Sequence, residues 1–578
     1  MYCNTSLVAL LLCLTGIVEA KDWLSPAYTW LYQFPLPIPP IKKPKWTTTN
    51  PVTGGTIEYY EITILPPTQQ VYPGKSPAKL VGYDGFSPGP TFKVNKGTEA
   101  VVRFINNSTT ASSIHLHGSY SRAPWDGWAE DLTGPGRYKD YYYPNHQAAR
   151  TLWYHDHAVD HVGNMLREHA YFGQAGVYVL HDPDELGWGL PSGDYDVPLV
   201  LSAKQYNSDG TLFSPASETT SLYGDVIHVN GQPWPYFKVE PRQYCFRFLD
   251  ASISRSFFLF FERDEKPGEK PGEKLEFNVI GSDARLLGSP QKTKDLYISM
   301  AERYEVVVDF SRWKGENVTL RNTRGFAADK DFLHTDKVMK FIVGDKPSGS
   351  GDTSSSLPSR LRTIPYPPDK SGIDHSFKFE RINGKWKING VSFSDVKNCV
   401  LAKPQRGGVW ELINGGGGWS HPIHIHLVDF KVVKRVNGRG VVQPYEAAGL
   451  KDVVWLGPNE QVTVEAYYAP WDGVYMFHCH NLIHEDHEMM AAFNVSYLAL
   501  AGYDETHYID PMEDRWQSRP QNVTEMQDPF IRAKIKDMAA EQPYNRVDDM
   551  ETALMGYWAT ASTSPNAPAA TGSSGGPG

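Results

Sequence analysis

The chain has 578 residues and a net charge of −10, from 56 Lys and Arg against 66 Asp and Glu. Its 40% hydrophobic and 21% charged residues are typical of a globular protein and exclude a disordered chain or a multi-span membrane protein. The 50 Gly and 43 Pro favour many turns and argue against a helical bundle. Because no long basic block is present, we expect neither nucleic acid nor an anionic membrane as a partner.

The N-terminus has the pattern of a secretory signal. An apolar run extends from Leu7 to Val18, and small residues precede a cleavage site near Ala20. Residues 1–20 therefore predict a signal peptide, and the mature protein is expected to be secreted, extracellular and without a membrane span. Acceptor sequons for a glycoprotein occur at Asn106 or Asn107 (overlapping), Asn317, Asn494 and Asn522.

A weak internal repeat indicates three copies of one β-domain. The segments TFKVNKGTEAVVRFIN, YFKVEPRQYCFRFLD and CVLAKPQRGGVWELIN each contain an extended stretch, a turn and an alternating apolar strand. Short helices are predicted only near 159–170 and 527–541. The predicted units are domain 1 over 21–190, domain 2 over 191–344, a linker over 345–375, domain 3 over 376–540, and a partly disordered tail over 541–578.

The spacing of the histidines indicates metal binding. Ten of the 19 histidines fall in four short clusters that each contain a His-x-His pair. Alternate residues of a β-strand point to the same face, so each pair presents two imidazoles side by side, about 7 Å apart along the strand. Eight such histidines match three metal ions, for which imidazole favours copper, zinc or iron. They are His115, His117, His155, His157, His424, His426, His478 and His480.

A second metal site is predicted around Cys479, which alternation places on the opposite face from its histidine neighbours. With His421, His484 and Met489 it forms a His₂Cys set with a thioether, the arrangement of an electron-transfer copper. Structural zinc favours several cysteines in CxxC spacing, and only one is present here. Of the other cysteines of the mature chain, Cys245 and Cys399 form either an inter-domain disulfide or two buried free thiols.

These motifs resemble the four copper-binding segments of the multicopper oxidases. Within that superfamily, HPIHIHLVDFKVVKRVNG, LKDVVWLGPNE and GVYMFHCHNLIHEDHEMMAAFNV are similar to fungal bilirubin oxidases. The resemblance implies an all-β chain of three cupredoxin-like Greek-key β-barrel domains that binds four copper ions. It assigns the type 1 copper to the Cys479 set, the type 2 copper to His115 and His424, one type 3 copper to His117, His155 and His480, and the other to His157, His426 and His478.

The resemblance also implies a reaction. A tetrapyrrole or phenolic reductant gives single electrons to the type 1 copper through an exposed edge of His421 or His484, and dioxygen is reduced to water at the other three coppers. Asp126 matches the family's acidic residue near the cluster, and Glu485 is a second candidate proton donor. Trp419 resembles the tryptophan that relatives place beside the type 1 site, and Asn481 is expected on the same rim.

Other functions remain open from the sequence. A laccase acting on phenols or pigment precursors differs only in the natural substrate. A ferroxidase would have acidic residues around the type 1 histidines and a membrane anchor or permease partner. A cupredoxin without turnover would have lost ligands. The Met489 thioether is expected to lower the type 1 potential, which makes phenols of high potential poor substrates. We expect a monomer.

Overall fold

The structure is a computed structural model. It describes residues 23–159, 169–265, 272–323, 329–348, 356–364, 372–396, 400–401, 408–496 and 507–545, and also 547, 549 and 552. The predicted signal peptide and Cys399 lie outside the described residues, as do most of the predicted helix at 159–170 and of the tail. Most of the regular structure is β, as the sequence predicts.

The first pair of sheets is built from the N-terminal third of the chain. Strands β1 to β11 are Trp46–Thr49, Thr56–Leu65, Thr68–Gln69, Ala78–Lys79, Gly82–Tyr83, Gly89–Asn95, Glu99–Asn106, Ile114–His117, Arg137–Tyr143, Arg150–Asp156 and Ala175–His181. With β34 (Arg519–Pro520), one sheet has the order β1-β2-β7-β9-β34, with β5 beside β2. The other has the order β6-β11-β10-β8, and β3 pairs with β4.

The second pair of sheets follows. Strands β12 to β23 are Asp196–Lys204, Val226–Val229, Gln232–Pro233, Tyr236–Val239, Gln243–Asp250, Phe257–Arg263, Phe277–Gly281, Leu286–Thr293, Leu296–Ile298, Arg303–Asp309, Asn317–Asn322 and Lys337–Val343. They form a sheet of order β14-β13-β12-β16-β21-β18-β19 and one of order β15-β23-β22-β17-β20.

The third pair of sheets is built from residues 375–495. Strands β24 to β33 are His375–Ile382, Lys385–Ile388, Val400–Leu401, Gly408–Asn414, His421–Ile425, Phe430–Val436, Val453–Leu456, Gln461–Ala466, Gly473–Cys479 and Met490–Val495. Their orders are β25-β24-β27-β31-β29 and β26-β33-β32-β28-β30. Trp410 packs between these two sheets, with its ring centroid 4.7 Å from that of Phe377 and 5.1 Å from that of Phe477.

Most helices are short connections between strands, and the longest, of 13 residues, follows the last strand. The α-helices α1 to α4 are His169–Phe172, Pro444–Ala447, Leu482–Asp486 and Asp528–Ala540. The 3₁₀ helices are Ala123–Trp125, Pro183–Trp188, Gly193–Tyr195, Pro215–Ser217, Ser311–Trp313, Phe393–Val396 and Asp514–Trp516. The helix predicted near 527–541 is confirmed by α4. Among the described residues, none of the helices is both long and apolar enough to cross a membrane.

The C-terminal segment returns to the first pair of sheets. Strand β34 pairs with β9, and Arg103 of β7 donates to the backbone oxygen of Glu525 at 2.7 Å. Lys534 of α4 donates to Asp140 of β9 at 2.7 Å, and Asp140 also accepts from Arg103. Every residue of β7 is buried, because this segment covers the face of the sheet that would otherwise meet solvent.

The structure bears on two sequence predictions. The side chain of Asn106 is buried and donates to the carbonyl oxygens of Thr110 and Thr133, whereas Asn107 of the overlapping sequon is exposed, and glycosylation stays a prediction. The thiol of Cys245 is buried and free, while its predicted partner Cys399 lies outside the described residues. The predicted domain limits stay predictions.

Candidate metal centres

Histidines of four strand segments meet in one buried cavity. His115 of β8 lies opposite His155 of β10, and His424 of β28 lies opposite His478 of β32. Each of these four is followed two residues later by another histidine: His117, His157, His426 and His480. All eight side chains are buried. The strands thus bring together the eight histidines that the sequence singled out.

The cavity belongs jointly to the first and third pairs of sheets. The ring of His117 stacks on that of His424 with centroids 3.6 Å apart, and the ring of His115 stacks on that of His426 at 4.0 Å. Each stack joins one histidine from each pair of sheets. Neither pair alone would therefore complete the site.

Backbone carbonyls fix which ring nitrogen carries the hydrogen. Nδ1 of His115 donates to the carbonyl oxygen of Asp126, and Nδ1 of His424 donates to that of Asp452 at 2.8 Å. Burial holds the pKa of both imidazoles well below the usual value, so both rings are neutral and carry a lone pair on Nε2. These two Nε2 atoms face each other at 3.4 Å. Two facing lone pairs repel, and a metal cation between them would turn this repulsion into ligation.

Three further pairs of ring nitrogens approach in the same way: His117 Nδ1 and His155 Nε2 at 3.4 Å, His157 Nε2 and His478 Nε2 at 3.1 Å, and His426 Nε2 and His478 Nε2 at 3.2 Å. Nε2 of His480 is buried without a hydrogen-bond partner in the part of the chain that the structure describes. The ring centroid of His480 lies 5.1 Å from that of His155. The donor set, eight imidazole rings, fits copper, zinc or iron.

Asp126 joins the two halves of the cavity. Its backbone oxygen accepts from His115, and its Oδ2 accepts from Nδ1 of His426 at 2.8 Å. The following Gly127 has φ +86°, and a Cβ there would lie 2.5 Å from the carbonyl oxygen of Ile114, so only glycine lets this turn pack on β8. Burial raises the pKa of the Asp126 carboxyl well above its usual value. The group is therefore placed to hold a proton beside the histidines.

Asp452, which sequence reasoning missed, also contacts one histidine through its backbone oxygen and another through its carboxylate. Its backbone oxygen accepts from His424, and its Oδ1 lies 3.2 Å from Nε2 of His117. Both carboxylate oxygens accept from the guanidinium of Arg303, which is fully buried on β21 and also donates to the carbonyl oxygen of Thr151 at 3.0 Å. The middle pair of sheets thus orients ligands that it does not itself supply. A charged residue inside the apolar strand segment DVVWL was the available signal, because a buried aspartate needs a partner.

Glu485 of α3 contacts other histidines of the cavity than Asp452 does. Its Oε2 is 3.3 Å from Nδ1 of His478, and its Oε1 is 3.5 Å from Nε2 of His157. Burial alone would raise the pKa of Glu485, but His478 and His157 hold it well below the usual value. Burial thus favours the protonated form of Asp126, whereas the neighbouring histidines favour the ionised form of Glu485.

The second predicted site also assembles. Sγ of Cys479 lies 3.4 Å from Nδ1 of His421 and 3.5 Å from Nδ1 of His484, and the two nitrogens are 3.1 Å apart. Met489 is completely buried, its amide donates to the carbonyl oxygen of His484, and its carbonyl accepts from the amide of Cys479. Burial raises the pKa of the Cys479 thiol well above its usual value. A thiolate at this position requires a cation, as in a copper–thiolate site.

The expected exposed edge of His421 or His484 is not present: both side chains are completely buried. Nε2 of His484 donates to the carbonyl oxygen of Thr220 at 2.7 Å, from the loop after β12. Trp386 of β25 stacks on the ring of His484 with centroids 3.6 Å apart. The sequence gave no reason to single out Trp386, because a lone tryptophan in a strand is ordinarily a core residue.

Trp419 packs against Trp386. It is half-buried, and its ring meets that of Trp386 edge-on with centroids 5.1 Å apart. Asn481 does not lie on a rim, because its side chain is buried. It accepts from Ser254 at 2.9 Å, and its backbone amide donates to Sγ of Cys479 at 3.4 Å. Hydrogen bonds to a cysteine sulfur tune a copper–thiolate site, so Asn481 is better placed to act on Cys479 than on a substrate.

Comparisons with known proteins agree with this chemistry. Residues 67–185 and 363–497 each match a family described as multicopper oxidase. A bilirubin oxidase of Albifimbria verrucaria is 53% identical over 91% of this chain and 93% of its own length. A laccase of Bacillus subtilis is 31% identical over 80% of this chain and 98% of its own length.

Solved structures show the same architecture. McoA multicopper oxidase from Aquifex aeolicus is 26% identical, with a TM-score of 0.68 over 80% of this chain and 99% of that chain. A laccase from Pediococcus acidilactici is 25% identical, with a TM-score of 0.69 over 83% of this chain and 96% of that chain. The fold is accordingly three cupredoxin-like β-domains, and the protein is a copper-dependent oxidoreductase with oxygen as acceptor. The chain belongs to the multicopper oxidase family.

Proposed function

We propose that this protein is a secreted oxidase that takes single electrons from a tetrapyrrole or phenolic reductant and reduces dioxygen to water with four copper ions. The observation that carries the proposal is the pair of facing Nε2 lone pairs of His115 and His424, 3.4 Å apart, beside a buried His₂Cys set. Bound copper would supply one-electron acceptance at the Cys479 set and oxygen reduction at the eight histidines.

The close approaches of ring nitrogens support one division of the eight histidines. His115 and His424 would hold the type 2 copper. His117, His155 and His480 would hold one type 3 copper, and His157, His426 and His478 the other. Each group of three contains a nitrogen–nitrogen distance of 3.4 Å or less. His421, Cys479, His484 and Met489 would hold the type 1 copper.

The chain joins the two centres and brings protons to one of them. Cys479 lies between His478 and His480 on one continuous backbone, so a single strand end contacts both sites. Asp126 would hold a proton that is delivered during oxygen reduction, since its burial favours the neutral acid. Glu485, which contacts His478 and His157, would be the second candidate for proton transfer to the cavity.

A reductant would contact the half-buried Trp419. The indole of Trp386 contacts both the ring of Trp419 and the ring of His484. Flat aromatic surfaces of this kind suit a conjugated tetrapyrrole or a bulky phenol. The relative named bilirubin oxidase supports the tetrapyrrole, and the relatives named laccase support phenols as the second candidate. The guanidinium of Arg381 lies over these indoles, and its positive charge would repel ferrous iron, which is also a cation.

Turnover of copper-loaded protein tests the proposal. Initial rates with bilirubin, a methoxyphenol and ferrous iron would be compared while oxygen uptake is recorded. We expect bilirubin to give the highest kcat/KM, with about four electrons consumed per dioxygen. Oxidation of ferrous iron alone, or hydrogen peroxide as the main product, would contradict the proposal.

A further inference from the structure

Arg381 lies beside the two indoles next to the Cys479 site. It lies on β24 directly opposite Trp386 of β25 in the antiparallel register. Its guanidinium carbon is 5.4 Å from the ring centre of Trp386 and 5.8 Å from that of Trp419. The positive charge therefore lies over the same two indoles that lead to His484.

The charge of Arg381 has no anionic partner among the described residues. Nη2 donates only a long hydrogen bond of 3.3 Å to Oγ1 of Thr219, and Nε is buried without a hydrogen-bond partner. Four fully buried or nearly buried arginines of the same chain, Arg103, Arg150, Arg303 and Arg435, each bind a carboxylate directly. Donors left unpaired in a partly desolvated site are costly, and an anionic ligand would recover that cost.

We propose that Arg381 binds a carboxylate of the reducing substrate and thereby makes the enzyme selective for aromatic reductants that carry carboxylates. This inference rests on the proposed function and names the substrate class of the same site. A guanidinium presents parallel donors that match a carboxylate, and such charge-assisted pairs are stronger than neutral hydrogen bonds. With its carboxylate on Arg381, a conjugated substrate would place its ring system against Trp419.

Two substrates that share one chromophore and differ in the charge of their side chains test this role. Bilirubin carries two carboxylates, and its dimethyl ester carries none. For Arg381→Gln we expect KM for bilirubin to rise about tenfold while KM for the diester stays within about twofold. Arg381→Lys, which keeps the charge, should recover part of the affinity for the diacid. Wild-type KM for bilirubin should rise with salt, and this dependence should vanish in Arg381→Gln.

The control is Arg532→Gln, because Arg532 is exposed on α4 and also lies over an indole, with its guanidinium carbon 4.0 Å from the ring centre of Trp46. It should change neither KM. The blue absorption of each variant reports whether the copper site is intact. Equal changes in KM for diacid and diester, or no change for either, would overturn the binding role while leaving the oxidase in place. A blue wild-type enzyme that oxidises neither compound would instead overturn the tetrapyrrole function, and this role with it.

Discussion

The carboxylate of Asp126 accepts a hydrogen bond from Nδ1 of His426 at 2.8 Å, although 300 residues separate the two in the chain. This contact joins the first pair of sheets to the third at the point where the histidines converge. Because the backbone oxygen of Asp126 also holds His115, one residue orients a histidine on each side of the cavity and places an acid between them.

The substitution Asp126→Asn separates the role of Asp126 in orienting histidines from its role as an acid. The amide oxygen still accepts from His426, but the amide has no acidic proton to deliver. We expect the blue absorption and anaerobic reduction by substrate to persist while reoxidation by dioxygen slows about 100-fold or more. Stopped-flow reoxidation measures this directly. The control is Glu130→Gln, which changes a carboxylate four residues further along the chain and should leave reoxidation unchanged. Normal reoxidation in Asp126→Asn would remove the proton role of Asp126.

Asp452→Asn tests the support that the middle pair of sheets gives to the cavity. The substitution removes one of the two carboxylates, Asp452 and Asp283, that face the buried guanidinium of Arg303, and it weakens the contact with His117. We expect copper affinity at the eight histidines to fall about 10- to 100-fold. Copper analysis and the type 2 electron paramagnetic resonance signal would show the loss, whereas the blue band of the Cys479 site should remain. Full copper content with an unchanged signal would refute the role of Asp452.

Trp386→Leu removes the ring that stacks on His484, whereas Trp386→Phe keeps an aromatic face there. We expect the leucine variant to bind copper but to be reduced by substrate at least about tenfold more slowly, with the phenylalanine variant in between. Anaerobic bleaching of the blue band gives this rate without the oxygen step. Equal rates in all three proteins would show that electrons enter elsewhere.

Asp140→Asn tests the C-terminal segment through the pH dependence of stability. Burial alone would raise the pKa of Asp140, but Lys534 and Arg103 lower it to about 2. A depressed pKa stabilises the fold above the unfolded value near 3.8, and that stabilisation is lost as the pH falls through about 2. Near neutral pH the variant should therefore lose about 2 kcal/mol in the free energy of unfolding, and the difference should shrink at acid pH.

Urea unfolding across this pH range measures the difference for Asp140→Asn. Asp537→Asn is the matched control, because Asp537 is exposed on α4, the helix that also carries Lys534. Its effect should stay within about 0.5 kcal/mol at every pH. A loss in Asp140→Asn that does not depend on pH would mean that packing, and not the ion pairs, accounts for the stabilisation.

The sequence predicts the local part of the site and misses the long-range part. The His-x-His pairs and the Cys479 set could be identified because strand periodicity and metal-ligand chemistry act over a few residues. Arg303 and Asp452 could not, since their contact depends on how the middle sheets pack on the others. The burial of His484 was missed for the same reason: Trp386 and the carbonyl of Thr220 reach it from distant parts of the chain.

The absorption spectrum of copper-loaded protein, wild type against Cys479→Ser, tests the central claim most directly. Cys479 is the one thiol in the predicted electron-transfer site, and serine keeps its size without the sulfur. We predict a strong blue band near about 600 nm in the wild type that is absent from the variant, while the variant keeps copper at the eight histidines. A copper-loaded wild type without this band, or a band that survives the loss of the thiol, would contradict the account.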